Sequence, residues 1–253
     1  MIMEKKPQQE QKAEYPQEQL QPEQKGQEPR TKWNIGNVGY VLITGLLLSL
    51  LPSLFVNNHS NLLGLNLIAY TLQIGAFSLL PLYIVLQRHH LPPAALGLQP
   101  LRFMAIPKGI LWGVVLYGVN LGVAFLVNLV LPEKMLSEQS AILLLQMATS
   151  PLEQAMLGFF IVLLAPIAEE ILFRGFLLPP LRDLLGSRSA ILVGASIFAA
   201  VHGNIFTFLP LFAGGIGFCW LYEKHRDLSY SIIAHMTWNA IAFALYMLSA
   251  ASA

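Results

Sequence analysis

The sequence predicts an all-α protein, a polytopic transmembrane helix bundle of about seven spans with its N-terminus in the cytoplasm. Hydrophobic residues make up 55% of the 253 residues and charged residues only 11%, whereas about 25% of a soluble domain is charged. The apolar residues also occur in long runs, and about 20 helical residues cross the hydrocarbon core of a bilayer. The net charge of +1 provides no basic surface of the kind that nucleic acid requires.

The first 32 residues differ from the rest of the chain. They contain eight Gln, six Glu, six Lys or Arg and four Pro, with almost no large apolar side chains. Such a segment cannot bury enough apolar surface to offset the entropy lost on ordering. We therefore expect a disordered tail over 1–32 and a transmembrane helical domain over 33–253.

The apolar part of the chain divides into seven predicted spans. No Asp, Glu, Lys or Arg occurs from Trp33 to Gln87, and a polar break at 57–61 divides this stretch. The segment 189–202 has 14 residues, about 21 Å of helix, which is short for a crossing. The predicted spans are 38–56, 62–86, 109–131, 153–178, 189–202, 205–222 and 229–249.

Proline and glycine give further detail within these spans. We expect the fourth span to end at Pro179-Pro180, because proline has no backbone N–H and its ring clashes with the preceding helical turn. The third span carries pairs of glycines four residues apart, a pattern that suits close packing between membrane helices. These glycines are Gly109 with Gly113 and Gly118 with Gly122.

The distribution of Lys and Arg orients the spans. Seven spans place the tail, the loop at 87–108 and the turns at 179–188 and 223–228 on one side, which receives 13 of the 15 Lys and Arg residues. The positive-inside rule assigns this side to the cytoplasm. We expect 139–148 to form a short interfacial helix, because an extra span there would spoil this asymmetry. The chain is then a multi-pass integral membrane protein, in the cell membrane if the host is a bacterium.

Few ionisable side chains remain at membrane depth, where a charge costs at least ~2.5 kcal/mol. Glu170 and Arg174 are four residues apart and can pair on one helix face. Glu169 lies about 100° away around the helix and has no partner there, which makes it a candidate general base. The other polar side chains at this depth belong to the fifth and seventh spans: His202, His235 and Asn239.

Three short motifs follow one another on the late helices. They are Glu-Glu-x-x-x-Arg at 169–174, Phe-x-x-x-His at 198–202 and His-x-x-x-Asn at 235–239. In this order they resemble the CPBP family, which comprises the type II CAAX prenyl endopeptidases and the bacteriocin-processing and immunity (Abi) proteins. The flanking Ala165-Pro166 and Gly175-Phe176-Leu177 also look like family members. The resemblance covers about 150–245, whereas 33–149 match only as generic spans.

The resemblance implies an intramembrane endopeptidase whose site is open to the cytoplasmic half of the bilayer. Carried over by position, Glu169 is the general base and holds the attacking water together with His202. By the same carry-over, His235 and Asn239 bind the oxyanion of the tetrahedral intermediate. Glu170 and Arg174 then fix the geometry of the site. The implied partner is a membrane-tethered peptide or protein. Eukaryotic relatives process prenylated CAAX proteins, but nothing in this chain shows a prenyl pocket.

Other chemistries and functions stay open at this point. Glu169, His202 and His235 would suit a zinc ion with an open water position, although the sequence contains no His-Glu-x-x-His. The same buried polar residues could serve a transporter or channel as an ion relay. They could also belong to a non-catalytic immunity or scaffold protein. Internal repeats would favour a transporter, and the sequence shows none. Missing motif residues would favour a scaffold, and all the motif residues are present.

Overall fold

The structure is a computed structural model that describes residues 31–57, 61–131 and 140–252. Within these ranges the regular secondary structure is helical, with no strand. The last turn of α1 and a short segment at Pro93–Leu96 are 3₁₀-helical. The helices are α1 Ile35–Phe55, α2 Leu62–Arg88, α3 Ala105–Val130, α4 Ser140–Met147, α5 Pro151–Leu185, α6 Ser187–Ala200, α7 Ile205–His225 and α8 Leu228–Ala251.

The described helices confirm a multi-pass bundle. Six of them in the described ranges are long and apolar enough to cross a membrane, and α6 is a shorter apolar helix. Together they correspond to the seven predicted spans, and α4 occupies the segment predicted as a short additional helix. Residues 1–30 lie outside the described residues, so disorder of the tail over 1–32 stays a prediction.

Helix α5 extends beyond its predicted end. It passes through Pro179-Pro180 and ends at Leu185, so the predicted end at the prolines is wrong. The reason lies in the preceding segment Ile171–Leu177, which is a π-helix. There the N–H groups bond five residues back, and this wider turn relieves the clash between a proline ring and the carbonyl four residues before it.

The prolines of α5 still leave backbone carbonyls without their helical donors. Pro180 cannot donate to the carbonyl of Phe176 four residues earlier. The indole Nε1–H of Trp33 donates to that oxygen at 2.7 Å instead, and the two rings stack with centroids 5.4 Å apart. A side chain from the segment before α1 thus satisfies a buried polar group inside α5.

The main core surrounds the π segment at 171–177, where every residue is buried. Leu96, Leu228 and Trp33 pack around it. The backbone N–H of Leu228 also donates to the carbonyl of Gly97 at 2.8 Å. This core therefore lies where the segment before α1, the α2–α3 loop and the α5–α6 and α7–α8 turns meet, which we call the basic end because of their Lys and Arg residues.

Small residues allow α3 and α8 to approach closely. A Cβ atom added at Gly113 would lie 2.5 Å from the carbonyl oxygen of Ala234, and one at Gly109 would also meet α8 at 2.7 Å. The predicted packing role is therefore confirmed for this pair. At Gly118 and Gly122 an added Cβ would meet nothing within 4 Å, so these two glycines do not share that role among the described residues.

Candidate active site

The bundle contains a partly open cavity of about 820 Å³. Side chains from α2, α5, α6, α7 and α8 form most of its wall. Four of the predicted site residues lie in this wall, although three separate parts of the chain supply them: Glu169, His202, His235 and Asn239. The structure thus brings the three motifs together around one space.

A buried charged cluster lies directly behind the cavity wall. Arg174 Nη1 donates to Glu170 Oε1 at 2.8 Å, and both side chains are 0% exposed, so the predicted pairing is confirmed. The same carboxylate oxygen lies 2.9 Å from Nδ1 of His235. The guanidinium of Arg174 also faces the rings of Phe198 and Phe218, at 4.4 and 5.2 Å from their centroids. Glu170 therefore links the arginine to a histidine of another helix, a contact that the spacing within one helix did not reveal.

Glu169 faces the cavity instead of the buried cluster. Its Oε2 lies 3.8 Å from Nε2 of His235, and its side chain is 23% exposed, against 0% for Glu170. His235 is thus held between two carboxylates, and the ring of Phe218 stacks on it at 4.7 Å. An ionised carboxylate only accepts hydrogen bonds, so we assign the proton on Nδ1 to the bond with Glu170. Nε2 then faces Glu169 and the cavity.

His202 follows directly after α6, in the turn at 201–204. Its Nδ1 lies 2.7 Å from the carbonyl oxygen of Phe198, and a carbonyl can only accept, so Nδ1 carries the hydrogen. Nε2 is then the ring nitrogen left to interact with a ligand. The Phe198 ring contacts both imidazoles, with centroids 4.8 Å from His202 and 6.0 Å from His235. Phe198 therefore helps to set the spacing between the two histidines.

Asn239 has a structural partner that the sequence did not suggest. Its Nδ2 donates to the carbonyl oxygen of Ile161 at 2.8 Å. Ile161 lies in the π-helical stretch Phe160–Leu164, five residues before Pro166, which has no N–H to offer that carbonyl. The amide nitrogen carries two hydrogens, so one remains for a ligand in the cavity.

The three candidate zinc ligands do not assemble into one site. Among the residues that the structure describes, no three His, Cys, Asp or Glu side chains are placed to hold a common metal ion. Glu169 and His235 face each other, but a catalytic zinc normally takes three protein ligands. The arrangement therefore does not fit the predicted zinc set of Glu169, His202 and His235.

One face of α2 also lines the cavity, although the sequence had suggested only a generic span there. Asn66, Tyr70 and Gln73 recur at intervals of three and four residues and share this face. Asn66 bonds to its own helix through the carbonyl of Leu62 at 2.8 Å. The Tyr70 hydroxyl and the Gln73 amide make no hydrogen bond with any described residue. A polar stripe at helical spacing within an apolar span was the signal that could have revealed them.

Residues 151–241 match a protein-family model described as Rce1-like, type II CAAX prenyl endopeptidase. This segment is similar to the type II CAAX prenyl endopeptidases. The Rce1-like segment contains all six predicted site residues, so the resemblance to the CPBP family is confirmed there. It covers less than half of the chain, and α2 with its polar stripe lies outside it. Comparisons with curated proteins and with solved structures found no match.

Proposed function

We propose that the chain is an intramembrane endopeptidase that hydrolyses a peptide bond of a membrane-associated substrate with a water activated by Glu169 and His202. The Rce1-like match supports a protease of the CAAX type. The observation that carries the proposal is the Glu169–His235 pair, in which the carboxylate Oε2 lies 3.8 Å from the imidazole Nε2 in the wall of a cavity within an apolar bundle. A carboxylate and an imidazole that face one cavity can act as a general base and as a hydrogen-bond donor to the developing oxyanion.

In this mechanism Glu169 and His202 position and activate the water. The water gives one proton to the Glu169 carboxylate, and its oxygen attacks the carbonyl carbon of the scissile peptide. His202 keeps its hydrogen on the side of the Phe198 carbonyl, so Nε2 has a lone pair that accepts the second water hydrogen. These two contacts of the water, with Glu169 and with His202, fix the direction in which the lone pair of the attacking oxygen points.

The negative oxygen that develops on the peptide carbonyl needs hydrogen-bond donors. In its imidazolium form His235 would donate through Nε2–H, and Asn239 would donate its second amide hydrogen. Losing one such donor typically costs ~10²–10³-fold in rate. The tetrahedral intermediate then collapses, and Glu169 returns its proton to the leaving amine nitrogen.

Glu170 and Arg174 act as positioning residues. Glu170 accepts the Nδ1 hydrogen of His235 at 2.9 Å and so fixes the ring with Nε2 toward the cavity. Arg174 neutralises the Glu170 charge, which an apolar interior tolerates only when it is paired. The pair therefore supports the oxyanion donor without touching the substrate.

Cleavage of a membrane-tethered reporter by the purified protein tests the proposal. We expect Glu169→Gln and His202→Ala to abolish cleavage while the thermal unfolding temperature stays close to that of the wild type. Glu153→Gln is the matched control, because Glu153 of the same helix only caps α5 and Gln also forms this capping box. Equal cleavage by wild type and Glu169→Gln would contradict the mechanism.

Two further results would redirect the assignment. Elemental analysis of the active protein is expected to show no stoichiometric zinc, and full loss of activity on chelation with recovery on zinc addition would favour the metal alternative. A folded wild-type protein that cleaves no reporter would favour a transporter or a non-catalytic scaffold.

A further inference from the structure

The proposed reaction needs a substrate whose backbone is unwound at the scissile bond. In a helix each carbonyl oxygen already accepts from the N–H four residues later, so it is not free to meet the donors of His235 and Asn239. Unwinding the segment leaves its other N–H and C=O groups without helical partners. Inside an apolar bundle such groups cost free energy unless the wall of the cavity bonds to them. The polar wall residues outside the three motifs are therefore candidates to hold the substrate.

Most polar side chains of the described wall outside the three motifs already have a partner. Those of Ser49, Asn66 and Thr207 donate to nearby backbone carbonyls. The side chain of Asn204 accepts the first N–H groups of α7. The described wall residues whose hydroxyl or amide makes no hydrogen bond with another described residue are Tyr70, Gln73 and Tyr246.

Gln73 lies at a similar depth to Glu169. Helices α2 and α5 run in the same direction, because their early turns share one apolar cluster and their later turns share the main core. Phe77 of α2 contacts Phe173 of α5 edge to face, with ring centroids 6.4 Å apart. Gln73 and Glu169 each precede one of these phenylalanines by four residues, about one helical turn. Both side chains line the cavity, so Gln73 faces the space next to the general base.

Tyr70 lies one turn before Gln73 on the same face of α2. Three residues advance the helix by about 4.5 Å, little more than the ~3.3 Å rise of one residue in an extended chain. The Glu169 carboxylate also interacts electrostatically with the Tyr70 side chain. Tyr70 and Gln73 are half-buried, and their polar atoms stay accessible from the cavity. These atoms can therefore reach the main chain of neighbouring residues in an extended segment that passes Glu169.

We propose that Tyr70 and Gln73 bind the main chain of the substrate beside the scissile bond. The Tyr70 hydroxyl donates to a peptide carbonyl, and the Gln73 amide accepts from an N–H or donates to a C=O. Main-chain recognition selects a backbone conformation, so the substrate class is a membrane-associated polypeptide that is extended or readily unwound around the cleaved bond. This inference rests on the proposed endopeptidase function. It assigns a role in the site to α2, which lies outside the Rce1-like segment.

Binding to an inactive form measures these two contacts without reference to cleavage. In the Glu169→Gln background, we expect Tyr70→Phe and Gln73→Leu each to raise the Kd of a membrane-tethered reporter peptide about two- to ten-fold, the value of one hydrogen bond. In the active protein each substitution should raise KM more than it lowers kcat. Tyr83→Phe is the matched control, because it removes the same hydroxyl from the same helix at a position that is 61% exposed and off the cavity wall.

Ester substitution in the reporter locates the contacts on the substrate side. An ester lacks the N–H of a peptide bond and has a weaker carbonyl acceptor, whereas the side chains stay the same. We expect an ester at one position beside the scissile bond to raise the Kd of the Glu169→Gln protein about two- to ten-fold. The same ester should have little further effect once Gln73→Leu or Tyr70→Phe has removed its partner. This non-additivity marks a direct contact, whereas an indirect structural effect of the substitution would add to that of the ester.

The outcomes separate this inference from the proposed function. Reporters that bind with the expected dependence on Tyr70 and Gln73, but that the wild type never cleaves, would refute the endopeptidase function and leave the binding role in place. If the wild type cleaves reporters and the Tyr70 and Gln73 variants bind and cleave them equally well, the binding role is wrong and the function stands. Strictly additive effects of ester and substitution would also overturn the binding role. A protein that neither binds nor cleaves any reporter would contradict both proposals.

Discussion

The substitution Arg174→Met should separate the structural role of the buried charge pair from its role in the site. Arg174 and Glu170 are both 0% exposed and bonded at 2.8 Å. Removing one partner of a buried pair leaves an uncompensated charge, which costs ~3–5 kcal/mol. For a chain of this size each kcal/mol shifts the unfolding temperature by ~2–4 °C. We therefore expect the unfolding temperature of Arg174→Met to fall by about 6–20 °C.

Two double variants extend this prediction. Glu170→Gln/Arg174→Met removes both charges but keeps an amide oxygen that accepts from His235 Nδ1. Glu170→Leu/Arg174→Met removes both charges and also that acceptor. Both should recover most of the lost stability, because a neutral, apolar replacement of a buried pair is often tolerated. Only the Leu variant should lose ~10²–10³-fold in cleavage rate, since a misoriented His235 is a lost oxyanion donor.

Thermal unfolding in detergent and reporter cleavage, measured on the same preparations, check both parts. The reasoning would be refuted if Arg174→Met unfolded at the wild-type temperature, because the pair would then contribute nothing. It would equally fail if the two double variants had the same activity, because the contact between Glu170 and His235 would then be irrelevant to the site.

Three further predictions concern single residues. Trp33→Phe keeps the stacking but orphans a buried carbonyl of α5, so the free energy of unfolding should fall by ~1–3 kcal/mol, as measured by detergent unfolding. Gly113→Ala should lower the free energy of unfolding, because its Cβ would lie 2.5 Å from an α8 carbonyl oxygen. Gly118→Ala has open space around it and should be neutral or stabilising. Equal effects of the two substitutions would contradict the close α3–α8 packing. Gln73 lines the cavity, and we expect its amide to form one hydrogen bond with the backbone of a bound substrate. Gln73→Leu should therefore lower kcat/KM about two- to ten-fold, the value of one hydrogen bond, through KM more than through kcat. Thr71→Val, which is off the cavity wall, should leave kcat/KM unchanged.

Several features of the fold and the site could be predicted from the sequence because they depend on local spacing. Apolar runs of sufficient length predicted the membrane helices, since hydrocarbon thickness fixes the number of residues that a helix needs. The four-residue interval from Glu170 to Arg174 predicted their pairing, and the 100° offset predicted that Glu169 would face elsewhere. Both contacts lie within one helix, where the helical repeat determines geometry.

Contacts between helices could not be obtained in this way. The bond from Glu170 to His235, the amide of Asn239 on the Ile161 carbonyl and the polar stripe of α2 all depend on how helices are rotated and shifted against one another. The end of α5 was predicted wrongly for a related reason, because a π-helical stretch changes the local register and allows Pro179-Pro180 to stay within the helix.

The lengths of the apolar runs were enough to establish a multi-pass helical membrane protein, and the positions of the polar residues within those runs showed which of them lie inside it. That these residues meet in one cavity became evident only from the packed helices. Helical periodicity records the direction of each side chain around its own helix axis, whereas depth and mutual rotation arise from packing between helices.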